Sequence, residues 1–118
     1  FRRFGNRSQD IVSKLNRTLR DSMESAFSAD PPLAYAAGHD HNQQVLRGGE
    51  NVRFLLVTGA GSKVACAVRL RESSFTSQHR TGFMRIDIMR GKGVLLRVYH
   101  YDSKGEGGVA YSHWLEAR

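Results

Sequence analysis

Apolar residues recur at every fourth position near the start of the chain: Ile11, Leu15, Leu19, Met23 and Phe27, with Val12 and Ala26 widening the stripe. This spacing puts them on one face of a helix. It predicts a helix over residues 8–28, with Ser8 as N-cap and Asp10 in the first turn, where a carboxylate suits the positive end of the helix dipole. Asp30-Pro31-Pro32 ends it. Neither ring nitrogen can donate a hydrogen bond, and the second proline drives Pro31 out of helical backbone. The stripe is expected to pack on a sheet.

Beyond the prolines the pattern shortens to strand length. Leu33-Ala34-Tyr35-Ala36-Ala37 is wholly apolar, as in a strand covered on both faces. Residues 42–47 predict a second strand, closed by the hairpin-type turn Gly48-Gly49-Glu50-Asn51. Residues 52–59 predict a third, placed centrally by Phe54-Leu55-Leu56-Val57. Residues 69–81 are polar and weakly periodic, and read as a surface loop. Residues 82–89 alternate, with Met84, Ile86 and Ile88 on one face. Arg90-Gly91-Lys92-Gly93 then turns into an apolar strand over 94–101. The predicted fold class is α+β or α/β: one N-terminal amphipathic helix packed on a mostly antiparallel or mixed sheet spanning 33–101. Residues 102–118 are expected to be a flexible tail with an edge strand over 109–114.

Composition adds bounds. A chain of 118 residues forms at most one domain, with a modest core. The 40% hydrophobic and 25% charged residues fit a globular chain, not a disordered one. No apolar run approaches the length needed to span a bilayer, and no charged-then-apolar leader is present. The lone cysteine, Cys66, cannot form an intrachain disulfide. Its setting in Val64-Ala65-Cys66-Ala67-Val68 predicts a small buried hydrophobe.

The net charge of +7, with Arg2, Arg3, Arg7, Lys14, Arg17 and Arg20 crowded at the N-terminus, raises a nucleic-acid reading. No helix-turn-helix, zinc-finger or RNP signature accompanies these residues, so a solvated helix face is the plainer account. Thr58-Gly59-Ala60-Gly61-Ser62-Lys63 fits neither phosphate-loop fingerprint, because only one residue separates its glycines and Val64 stands where a further glycine would be needed. It reads as a strand-to-loop turn.

Candidate chemistry concentrates at Gly38-His39-Asp40-His41-Asn42. In extended backbone, residues two apart share a side, so His39 and His41 face one small volume and Asp40 points away. Gly38 suits a sharp exit from the preceding strand. Imidazole is a favoured ligand of zinc, iron and related ions. The pair could hold one ion, or one residue could bind each of two adjacent ions. The plain alternative is two surface or hydrogen-bonded histidines. His79, His100 and His113 have no ligand spacing to one another.

The apolar strand, Gly38-His39-Asp40-His41-Asn42 followed by Gln44, the next strand, and Phe54-Leu55-Leu56-Val57-Thr58-Gly59-Ala60-Gly61-Ser62 together resemble the C-terminal part of calcineurin-like metallophosphoesterases, the superfamily that includes purple acid phosphatases. The resemblance runs from about Asn6 to about Val98, including Phe83-Met84-Arg85-Ile86-Asp87, and is densest over 35–62. It implies a chain forming part of a metallophosphoesterase β-sandwich, with His39 on one metal and His41 on the other. Gly38, Asn42, Gly59 and Gly61 would border the active-site rim. It also implies two divalent or trivalent ions (zinc, iron or manganese) and a phosphoester substrate.

The superfamily's earlier motifs, Asp-x-His, Gly-Asp-x-x-Asp and Gly-Asn-His, are not found in this sequence. The bridging carboxylate and the catalytic residues are therefore expected from a missing N-terminal part, and this chain alone should have little or no phosphatase activity. Two readings remain beside it: a small basic β-rich module binding nucleic acid or anionic surfaces without catalysis, and a structural domain whose histidines only hydrogen-bond.

Overall fold

A computed structural model describes residues 13–117. Helix α1 spans Lys14–Ala29. Ser13 caps it from extended backbone, its side chain accepting the Asn16 N–H at 3.2 Å. The expected cap Ser8, the first-turn Asp10, and Ile11 and Val12 of the stripe lie outside the described residues. Asp30 closes the helix by donating its N–H to the Ala26 carbonyl at 3.1 Å, directly before the two prolines.

The described part of the stripe does not seat on the sheet as expected. No residue of α1 is buried, and Leu15 and Leu19 are 69% and 57% exposed. The helix touches the sheet through Phe27, whose ring lies 5.5 Å from that of Tyr35. Between helix and sheet runs a cleft of about 600 Å³ lined by Leu19, Met23, Phe27, Tyr35, Val52 and Leu55.

Seven strands follow, in two sheets instead of the single sheet expected over 33–101. The first contains β1 (Ala34–Ala37), β2 (Gln43–Gly49), β3 (Val52–Thr58) and β4 (Ser73–Ser77), in the order β1-β3-β2-β4. β1 runs parallel to β3, and β2 is antiparallel to both β3 and β4. The apolar run of β3 does sit inside the sheet. β1 is an edge strand with Tyr35 and Ala36 exposed, not one covered on both faces.

β4 occupies the stretch expected to be a surface loop. Its Ser and Thr residues hide the strand pattern, and Phe75 anchors it by stacking on Tyr111 at 4.9 Å. The second sheet is a meander of β5 (Thr81–Met89), β6 (Gly93–Tyr101) and β7 (Gly107–Ala117). The edge strand expected over 109–114 is present and longer, as the eleven-residue β7, and a hydrogen-bonded turn over 102–106 stands in place of the expected flexible tail. Within the turn the Asp102 carboxylate accepts the N–H groups of Lys104 and Glu106, both at 2.9 Å, and Gly105 takes the left-handed backbone (φ 80°) that the reversal needs.

The sheets share one core. Val45 and Leu56 from the first meet Leu96, Val98 and Leu115 from the second, with Phe54, Phe75, Met84 and Tyr111 packed around them. This is an α+β arrangement of one helix and seven strands among the described residues. Of the predicted face on β5, Met84 reaches this core, while Ile86 and Ile88 extend past it and are 43% and 83% exposed. On the other face of the second sheet, Phe83 stacks on Tyr99 and Tyr101, Arg85 covers Tyr99, and Asp87 pairs with Arg85 and Arg97.

Leu96 is fully buried between the sheets. Leu96→Ala should cost about 2–5 kcal/mol in urea unfolding, through lost transfer energy and the cavity left behind. Ile88→Ala should stay within about 0.5 kcal/mol, as surface changes do. Equal losses would contradict a core shared by the two sheets.

Candidate functional site

β1 and β3 are parallel and end side by side, with Ala37 opposite Val57. Two connections therefore leave the sheet at the same end: residues 38–42, leading into β2, and residues 59–72, leading into β4. The first carries the histidines. The second folds across it.

The histidine segment is not extended, and this corrects the geometric reason for expecting the two imidazoles to share a side. His39 itself has left-handed backbone, with φ of 76°. For a residue with a Cβ this costs on the order of 1–3 kcal/mol, which the surroundings must offset. The Asn42 N–H closes a tight turn on the Asp40 carbonyl at 2.7 Å. Asn42 is buried, its side-chain oxygen accepting the Gln44 amide at 3.0 Å and its carbonyl accepting the Gly59 N–H at 3.1 Å. The His41 carbonyl accepts the Ala65 N–H at 2.6 Å.

His39, Asp40 and His41 are exposed and line one open pocket of about 490 Å³ with Asn42, Gln44 and residues 65–68. The fold thus brings together His39, His41 and Asn42. Gly38, Gly59 and Gly61 do not line the pocket. Gly59 lies beneath it, against the backbone of Asp40, while Gly61 has nothing near its Cα on the side where a Cβ would project.

Cys66 is on the pocket wall and exposed, which overturns the buried reading. The run 64–68 looked like a buried strand because it is small and apolar, but it forms no strand, and Val64 and Val68 are exposed as well. The Cys66 Sγ lies 4.0 Å from the Nε2 of His79. Nothing in the local sequence pattern linked those two residues, since β4 lies between them. His113 packs its ring edge-on to Phe54 at 5.6 Å, a structural role.

Among the described residues no group of three or more His, Cys, Asp or Glu side chains is placed to hold a metal ion. As a donor set, two exposed imidazoles suit one divalent ion weakly, and a closely spaced pair of ions needs a bridging carboxylate in addition. The chain's own residues thus fit part of a metal centre and not a whole one. Among the described residues no helix is long and apolar enough to cross a membrane.

No protein-family model and no curated protein sequence matches the chain. Among solved structures, the chain is similar in fold to GAP50, described as the anchor in the inner membrane complex of Plasmodium. The TM-score is 0.60, with 18% sequence identity over 95% of this chain. The chain spans about half of that structure, 46% of its length. At this identity the likeness concerns the fold alone.

One titration follows from the geometry. Burial, and then the Arg80 guanidinium, hold His100 below the ordinary imidazole value of 6.5. Its Nε2 is buried without a hydrogen-bond partner among the described residues, and its ring lies 5.9 Å from Phe75. The unfolded chain then binds a proton at His100 at higher pH than the folded chain does. This contribution to stability is intact above the unfolded value and is lost as pH falls below it toward the depressed folded value. Wild type should therefore lose stability more steeply than His100→Gln as pH drops through about 6.5. Parallel melting-temperature profiles from pH 7.5 to 5 would contradict it.

Proposed function

We propose that the chain is the C-terminal part of a binuclear metal-dependent phosphoester hydrolase, corresponding to part of a metallophosphoesterase β-sandwich. The observation that carries this reading is the placement of His39 and His41, both exposed, on one open pocket at the end of the parallel pair β1 and β3. The Gly-His-Asp-His motif and the strands around it supply the family resemblance. The two-sheet fold is compatible with it.

In this reading His39 holds one ion and His41 the other, zinc, iron or manganese. When bound, such a pair activates a water and stabilises charge on the phosphoryl oxygens. The work of this chain is positional. Asn42, fixed by Gln44 and by Gly59, holds the turn that aims the two imidazoles and places its own side chain at the pocket wall. The bridging carboxylate and the acid–base groups belong to the other part of the enzyme, the partner this surface requires. The substrate class is a phosphomonoester or phosphodiester.

The test is metal content and turnover in the full-length protein. His39→Ala and His41→Ala should each remove bound metal and lower kcat toward a generic phosphomonoester by orders of magnitude, since loss of a ligand is felt more than the roughly 10–100-fold cost of an outer partner. Full metal occupancy with unchanged kcat would overturn the reading. If those variants also leave untouched a salt-sensitive affinity for a polyanion, the non-catalytic binding module stands in its place.

A further inference from the structure

The second connection, residues 59–65, contacts the histidine turn at three backbone points. The Gly59 N–H donates to the Asn42 carbonyl at 3.1 Å, the Ala65 N–H donates to the His41 carbonyl at 2.6 Å, and the Gly59 Cα packs against Asp40. A Cβ at Gly59 would sit 2.8 Å from the Asp40 carbonyl carbon and 3.2 Å from the His39 nitrogen, and well inside contact distance of the Asp40 oxygen. These neighbours are backbone, so no rotamer change can make room. What the position requires is space. On its other side the same segment is tied to the second sheet: Ala60 is fully buried, and its carbonyl accepts the Gly82 N–H at 3.0 Å.

We infer that residues 59–65 are a strap that positions the His39–His41 turn for metal binding, with Gly59 as its positioning residue. The strap anchors the left-handed His39 backbone to both sheets at once. This assigns Gly59 to holding the ligand-bearing turn from beneath instead of to contact with substrate at the rim. Gly61, two residues on, has open space and carries no such role. The inference rests on the metal-binding reading of the two histidines, and the experiment separates the two.

Cobalt(II) chloride is titrated into the 118-residue chain and its visible ligand-field bands are recorded, alongside imidazole ¹H–¹³C spectra and melting temperature. Gly59→Ala should weaken cobalt binding by about tenfold or more, as loss of outer support does, and shift the His39 and His41 resonances even without cobalt. Gly61→Ala should do neither. If Gly59→Ala fails to fold, Ala65→Pro removes the donor to His41 at an exposed position and should produce the same weakening with the melting temperature retained. Equal cobalt affinity and unmoved resonances in the folded strap variants overturn the inference. If the isolated wild-type chain binds no cobalt, its two imidazoles do not hold an ion without the ligands of the other part. The strap is then judged by the cobalt-free resonances alone: shifts in Gly59→Ala but not in Gly61→Ala support it, and no shift overturns it.

Discussion

The whole arrangement depends on burying apolar side chains between two sheets. Val45, Leu56, Leu96 and Val98 come from interior strands, and each is at most 2% exposed. Burial of such side chains is worth about 1.5–3 kcal/mol apiece, and it fixes where β2 and β3 end. From that fixed edge the chain can afford a turn with unfavourable backbone at His39. The bond from Gly82 to Ala60 carries the constraint across, so the segment under the histidines is referenced to both sheets.

The histidine turn is therefore an exposed feature held by buried ones. Its two imidazoles face solvent, while Asn42 beside them and Ala60 beneath are buried. On the proposed metal-binding reading, this division would keep the two imidazoles accessible while hydrogen bonds and burial hold the backbone behind them. Among the described residues, Leu15 and Leu19 of the α1 stripe and Ile88 at the far end of β5 also stay exposed.

Much of this was legible in the sequence, though not always for the right reason. The helix stripe shows in Leu15, Leu19, Met23 and Phe27, and the interior strand in Phe54-Leu55-Leu56-Val57, because both patterns are dense and periodic. The pairing of His39 and His41 on one pocket was legible from spacing, but an extended backbone was the wrong route to it. His39 reaches its place through left-handed φ, which only tertiary contacts can hold. β4 was not legible because an edge strand of Ser and Thr around one Phe75 carries almost no alternation. Cys66 misled because small apolar residues look alike in a buried strand and in a strap crossing a pocket. The close approach of Gly59 to Asp40 joins residues nineteen positions apart, which no local pattern records.

The most direct measurement is anomalous diffraction from crystals of the chain soaked in zinc. The account predicts a peak in the pocket within about 2.0–2.1 Å of imidazole nitrogen from His39, His41 or both. A well-ordered pocket with no peak at either ring, while zinc is found at other histidines of the same molecule, would contradict it.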